Sequence, residues 1–239
     1  LLKQSRHRKS KKKFIAEGKR LVCEALDLSS SVESVFYTKN FYKKNQSDWG
    51  NFMNIDSSLI HIISDLQFKK ISSTSTPSGI AALCRMIENV EINLEEPLWI
   101  YLDKISDPGN LGTIMRTASW FGIKNIILSH GSVDPYNPKT IRAGMGAHFD
   151  LNIYQNIELD KFVKTHSIIS GSNEGENISN FEFPEKFVLV LGSEAHGISK
   201  NIEKLVQQTI TIKKLGKGDS LNLASAASIL MYALTSNQK

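Results

Sequence analysis

Cysteine is nearly absent from this sequence: Cys23 and Cys84 are the only two, too few for a disulfide framework or a cysteine-rich metal centre. The six histidines are scattered, with no pair spaced four apart, which argues against zinc. No apolar run approaches the roughly 20 residues that span a bilayer. No segment joins an apolar stretch to a small-residue cleavage site, so no secretory signal is read. The expectation is a cytosolic protein with reduced core thiols, free of metal and membrane. Several ligand-binding signatures are also missing. There is no G-x-G-x-x-G, which argues against an ordinary dinucleotide fold, and no G-x-S-x-G nucleophile elbow. Gly216-Lys217 is no phosphate loop, because Thr211 stands where the earlier glycine belongs and Gly218 where a magnesium-binding hydroxyl belongs. No repeat of 20–50 residues is visible.

What is present is ordinary for a globular chain of 239 residues: 41% hydrophobic and 22% charged. The charge is unevenly placed. Of the net +5, the first 20 residues hold +8, from nine basic groups against Glu17, and the remainder sums to −3. Lys9, Lys11, Lys12 and Lys13 make a candidate phosphate footprint, since each neutralised phosphate releases counterions. A merely solvated terminus and a basic organelle-targeting segment are the other readings.

Two α/β series divide the chain. In the first, residues 8–27 are predicted as one helix, from Phe14, Ile15, Gly18, Val22, Ala25 and Leu26. Strands are expected at 32–37, 59–63 and 80–86, with Asp65 as a helix cap. Residues 88–97, acidic and ending in Pro97, read as a linker, which places domains at 1–90 and 98–239 with 91–97 between them. In the second series strands are expected at 98–102, 125–128, 167–170, 187–191 and 209–212. Helices are expected at 111–121, 140–145, 158–165, 199–205 and 221–235. The alternation predicts an α/β fold with a mostly parallel sheet. The strand at 187–191 has no polar alternation, so it should be buried on both faces.

Three polar clusters follow buried strands or open helices in the second series. Asp107-Pro108-Gly109-Asn110 turns into a helix carrying Arg116 on an otherwise apolar stretch, with Asn110 placed as its cap. Leu191 runs directly into Gly192, then Glu194 and Gly197, at the end of a strand where α/β sheets bind ligands. Gly216 to Gly218 leads into Ser220, Leu221 and Asn222, ahead of a helix rich in alanine and serine; Ser220 could serve as a plain N-cap. Each cluster also has a purely structural reading, as turn, cap or core.

In this order and spacing the clusters resemble the signature of the SpoU/TrmH family of RNA ribose methyltransferases, in the SPOUT superfamily. The family's N-x-G-x-x-x-R is here Asn110, Gly112 and Arg116; its G-x-E-x-x-G is Gly192, Glu194 and Gly197; its S-L-N is Ser220, Leu221 and Asn222. The stretch from Asn137-Pro138-Lys139 through Arg142 to Gly146-Ala147 is similar to the family's intermediate motif. The N-terminal part, through Phe14–Gly18, Val22, Glu24–Leu26 and Thr76–Ile80, resembles the ribosomal-protein-like RNA-binding domain often attached to these enzymes. Two departures stand out: Ile212-Lys213-Lys214 replaces the usual Ile-Pro-Met, and Gly144 sits where serine is common.

The resemblance implies a C-terminal trefoil-knot domain, which connectivity rules alone would not predict. It implies S-adenosylmethionine as cofactor, met by Leu191, Gly192, Gly197, Ile212 and Leu221. It further implies methylation of a ribose 2′-hydroxyl in ribosomal or transfer RNA, a homodimer formed through the knot domain, and Lys139 and Arg142 among the RNA-binding residues. Arg116 would be the central catalytic group, with Asn110, Glu194, Ser220 and Asn222 orienting it and the ribose. The competing expectations are an inactive RNA-binding or ribosome-assembly protein on the same fold, and a base nitrogen as methyl acceptor.

Overall fold

The first 28 residues are shaped by two left-handed positions. The computed structural model describes residues 2–28, 31–46, 56–87, 91–194 and 196–236. In it the helix predicted over 8–27 is three elements: α1 (Ser5–Lys11), β1 (Lys13–Glu17) and α2 (Lys19–Leu28). Lys12 ends α1 at φ 50°, its N–H turned back to the Arg8 and Lys9 carbonyls, and Gly18 at φ 115° separates β1 from α2. Phe14 and Ala16 are buried as alternate strand residues, while Leu21, Val22 and Ala25 are the buried stripe of a helix. Over so short a stretch a period of two followed by a period of 3.6 mimics one helical period.

β1 joins β2 (Val32–Thr38), β3 (Ile60–Ile63) and β4 (Ile80–Arg85) in a sheet of order β1-β4-β2-β3. The β1–β4 and β2–β4 pairs are antiparallel and β2–β3 is parallel. α3 (Lys39–Lys44) and α4 (Asp65–Ile71) accompany it. Ser64, not Asp65, caps α4: its hydroxyl takes the Gln67 N–H while the Gln67 side chain takes the Ser64 N–H.

The second sheet contains β5 (Leu98–Leu102), β6 (Asn125–Leu128), β7 (Asn152–Gln155), β8 (Ser167–Ser172), β9 (Glu176–Asn177), β10 (Phe187–Leu191) and β11 (Gln208–Thr211). Its order is β7-β6-β5-β10-β8-β11-β9, and every pair is parallel. The expected α/β class with a parallel sheet is therefore what forms. β6 and β10 are buried along their whole length, as helices cover both faces of such a sheet. β7 and β9 were not anticipated. The helices expected at 158–165 and 199–205 shrink to one 3₁₀ turn, Leu159–Phe162, and to α7 (Lys200–Glu203).

Strand order determines where ligands can bind. The chain proceeds from β5 outward through β6 and β7, then resumes on the other side with β8 and β10. Consequently β5 and β10 lie side by side, with Leu102 opposite Leu191. That junction is a topological switch point, and the loops leaving its carboxyl ends diverge to leave a crevice. α5 (Pro108–Trp120) follows the first loop and packs against α6 (Pro138–Gly144) and α8 (Leu223–Ser236). Gly112 makes the α5–α6 contact possible: a Cβ there would lie 2.5 Å from both Ala143 Cβ and the Thr140 carbonyl oxygen.

The two sheets share a core. Tyr136, Ile141 and Phe149, from the α6 region, are buried with Phe14, Val22 and Ile80, and the Phe14 ring centroid is 5.1 Å from Tyr136. Arg8 pairs with Asp134 at 2.5 Å, and Arg142 donates to the Ser73 hydroxyl at 2.8 Å. His148, also in this seam, is wholly buried with Nε2 2.7 Å from the Pro135 carbonyl oxygen. Burial pushes its pKa from 6.5 down to about 4. The unfolded chain thus takes a proton that the folded chain refuses. This contribution to stability is complete above pH 6.5 and is lost as pH falls towards 4, at up to about 1.4 kcal/mol per pH unit. Between pH 7 and pH 5 the melting temperature is expected to fall by roughly 5 °C on this account, and His148→Gln should remove most of that fall. An undiminished fall in the variant would assign the effect to other groups.

Candidate functional site

The first loop begins at Asp103, whose N–H bonds the Leu191 carbonyl and so holds the ends of β5 and β10 together. Its buried carboxylate accepts from the Ser199 N–H at 2.7 Å, anchoring the far end of the loop after β10. Sequence reasoning passed over Asp103; an acid directly following a buried strand was the available signal. Asp107, also passed over, is the N-cap of α5, accepting from the Asn110 N–H at 2.8 Å. The cap expected of Asn110 is thereby taken, which frees the Asn110 side chain for the crevice. Lys139 pairs with Asp107 at 3.0 Å, and this ammonium, with the Asn110 N–H, holds the Asp107 carboxyl below its usual pKa.

Asn110, Glu194 and Asn222 meet. Asn110 Nδ2 donates to Glu194 Oε1 at 2.9 Å, Asn222 Nδ2 to the same oxygen at 2.7 Å and to Asn110 Oδ1 at 3.1 Å, and the Leu223 N–H to Glu194 Oε1 at 3.1 Å. One carboxylate oxygen therefore ties together three loops drawn from across the domain. Asn222 also caps α8, its Oδ1 accepting from the Ala224 and Ser225 N–H groups, so the helix starts at Leu223 and the cap suggested for Ser220 falls to Asn222. Ser220 is exposed and outside this network.

The loop after β10 folds on itself. Ser193 and Gly197 exchange backbone hydrogen bonds at 2.9 and 2.8 Å, with Gly197 left-handed at φ 63°. Gly192 is pressed against that turn: a Cβ would lie 2.1 Å from the Gly197 carbonyl carbon. Leu191 is buried at the strand end, Ile212 is half-buried against the main core, and Leu221 is 50% exposed. Leu221 thus leaves apolar surface open two residues before the Leu223 N–H that bonds Glu194.

Arg116 lies on the exposed side of α5, roughly 9 Å along the helix from Asn110. It makes no hydrogen bond or ion pair among the described residues, neither with a carboxylate nor with the Asn110–Glu194–Asn222 junction. Trp120, one turn further, is 84% exposed. Among the expected RNA-binding residues, Lys9 and Lys11 project from α1 into solvent, Lys12 is exposed at its end, and Lys13 pairs with Glu33 at 2.6 Å. Lys139 and Arg142 already hold Asp107 and Ser73. No His, Cys, Asp and Glu cluster able to hold a metal occurs among the described residues.

A parallel α/β sheet whose switch point gathers these three polar loops forms the larger unit of an α/β protein, and a mixed sheet forms the smaller one. The chain belongs to the SpoU rRNA Methylase family, whose model matches residues 97–232. Residues 1–82 match the MRM3-like substrate binding domain. The chain is 30% identical over 227 residues to the 23S rRNA (guanosine(2553)-2′-O)-methyltransferase RlmP of Bacillus subtilis, covering 92% of this chain and 88% of that protein. A TrmH-family structure from Porphyromonas gingivalis superposes with a TM-score of 0.82 at 28% identity, covering 97% of this chain and 93% of the other. An AdoMet-bound rRNA methyltransferase structure from Sinorhizobium meliloti gives 0.82 at 25% identity, covering 100% and 92%.

Proposed function

We propose that this protein transfers a methyl group from S-adenosylmethionine to a ribose 2′-hydroxyl of large-subunit ribosomal RNA. The observation that carries the reading is the Asn110–Glu194–Asn222 junction, which joins the family's three motifs at the switch point of a SpoU domain. The relatives named above support the donor and the ribosomal substrate. Residues 98–239 are the methyltransferase unit, 1–90 the substrate-binding unit and 91–97 their linker. Gly192, Gly197, Leu191, Ile212 and Leu221 hold the cofactor, which supplies an electrophilic methyl carbon on a sulfonium.

Arg116 cannot act as the base, since a guanidinium offers only hydrogen-bond donors and no acceptor for the proton. With no carboxylate on it among the described residues, the fork is available to clamp the target phosphate and stabilise the alkoxide as the hydroxyl proton leaves. Asn110 and Asn222, locked by Glu194, keep the loops beside the ribose in place, and Ser220 lies at their edge. Lys9, Lys11, Lys12 and Lys13 guide RNA phosphates to the smaller domain, while Lys139 and Arg142 align the seam along which the RNA runs.

The α5–α8 face is the proposed homodimer surface. Trp120 and Tyr232 are 84% and 62% exposed there, Ile229 is 41% exposed three residues before Tyr232 on α8, and the Tyr232 ring packs on Phe121 at 6.1 Å. Large exposed apolar groups in one patch mark an interface. We place the protein in the cytoplasm, where its proposed substrate is; no described helix is long and apolar enough to cross a membrane.

Incubation with methyl-labelled cofactor and total RNA, followed by nuclease digestion, should put the label on the ribose of one large-subunit nucleotide. Label on a base, on transfer RNA alone or on nothing would overturn the assignment, the last in favour of an inactive RNA-binding protein. Light scattering on the same sample should give twice the chain mass, and Trp120→Glu with Tyr232→Glu should halve it.

A further inference from the structure

A cavity of about 180 Å³ opens in the seam between the two domains, away from the junction of the three motifs. Ile15 of β1, Ile71 of α4 and Tyr136, Pro138 and Ile141 around α6 give it apolar walls, and Lys3 and Lys70 also line it. Both lysines are exposed and neither has a carboxylate partner among the described residues. Arg8 also lines the cavity. It is 2% exposed, and its Nε–H is buried without a hydrogen-bond partner. No acidic side chain among the described residues lines the hollow. The acids that touch its wall residues are engaged: Asp134 holds Arg8, and Glu17 takes the Ser73 N–H and the hydroxyls of Ser72 and Thr74.

Size and chemistry together restrict the occupant. Pockets for drug-sized ligands run to about 300–1,000 Å³, so this one suits a single planar ring system and is too small for S-adenosylmethionine. Aliphatic and tyrosine walls with a cationic mouth match one base turned out of its stack, with a phosphate left at the rim. The location matches as well. Pro138 and Ile141 belong to α6, and Lys139 between them pairs with Asp107, the cap that positions Asn110.

We propose that this hollow is a subsite for one unstacked base of the substrate RNA, its phosphate met by Lys3 and Lys70, which seats the strand across both domains. The subsite rests on the RNA-methyltransferase reading above. The test uses an in vitro transcript of large-subunit ribosomal RNA carrying 4-thiouridine. After near-ultraviolet irradiation, cross-links are expected in the peptides holding Ile71 to Ser73 or Tyr136. Lys70→Glu on the exposed helix should weaken RNA binding by ~5-fold or more, and Ile71→Trp, which fills the hollow, by ~10-fold. S-adenosylhomocysteine affinity should be unchanged in both. Cross-links confined to other peptides overturn the proposal, as does Lys70→Glu binding within about twofold of wild type. A higher melting temperature for Ile71→Trp with unchanged RNA affinity would mark a packing defect and also overturn it. Methylation of the transcript by the wild type separates the two failures: methylation without cross-links in the hollow removes the subsite alone, and no methylation of any RNA removes the reading beneath it.

Discussion

Arg116→Ala is expected to slow single-turnover methylation by ~10²–10³-fold at saturating RNA and cofactor, the loss typical of one well-placed electrostatic stabiliser. Stability should not follow. Arg116 is exposed and unpaired among the described residues, and substitutions at such surface positions typically stay within about 0.5 kcal/mol. Had the side chain been a structural arginine bound to a carboxylate, the melting temperature would fall and turnover would change little. Arg116→Lys retains charge but loses the bidentate fork, so partial recovery is expected. A normally melting Arg116→Ala protein that methylates within about threefold of wild type would take Arg116 out of the mechanism.

Gly192→Val should abolish measurable binding of S-adenosylhomocysteine by calorimetry. The clash is with the protein's own loop. A Cβ at 192 would stand 2.1 Å from the Gly197 carbonyl carbon and 2.3 Å from the Ile198 nitrogen, distances that force the turn open. Opening it breaks the Ser193–Gly197 hydrogen bonds and carries Glu194 away from Asn110 and Asn222. Gly192→Ala should be impaired as well, because the Cβ alone collides. Gly216→Ala is the control: a Cβ there meets nothing within 4 Å, and binding should be unchanged. Gly192→Val binding within about threefold of wild type would remove this loop from the cofactor site.

The catalytic half was more legible than the smaller half, and for local reasons. β5, β6 and β10 are continuous apolar runs whose character does not depend on their neighbours, and the residues of all three motifs stand in fixed spacing. The N-terminal helix, by contrast, was misread because Phe14 and Val22 face one core from two different elements. Only the left-handed Gly18 divides those two, as the left-handed Lys12 divides α1 from β1, and a positive φ at lysine leaves no trace in composition. Capping was misassigned at Asp65, Asn110 and Ser220 for a related reason: neighbouring polar residues can each cap, and the choice depends on where the preceding strand delivers the chain. At α5 that choice has a functional consequence, since the cap at Asp107 leaves Asn110 free for Glu194.

The sequence by itself determined the class of fold, the parallel sheet and the family, because hydrophobic period and motif spacing are properties of the chain read in order. Tertiary structure alone decided which motif residues touch. It gathered Asn110, Glu194 and Asn222 on one carboxylate oxygen, kept Arg116 apart and unpaired among the described residues, and set the exposed Lys139 on Asp107. It also formed the seam in which Tyr136 and His148 are buried against Phe14. Contacts between residues a hundred positions apart follow from strand order and the close approach of backbones at Gly112 and Gly192, and neither is encoded within any local window of sequence.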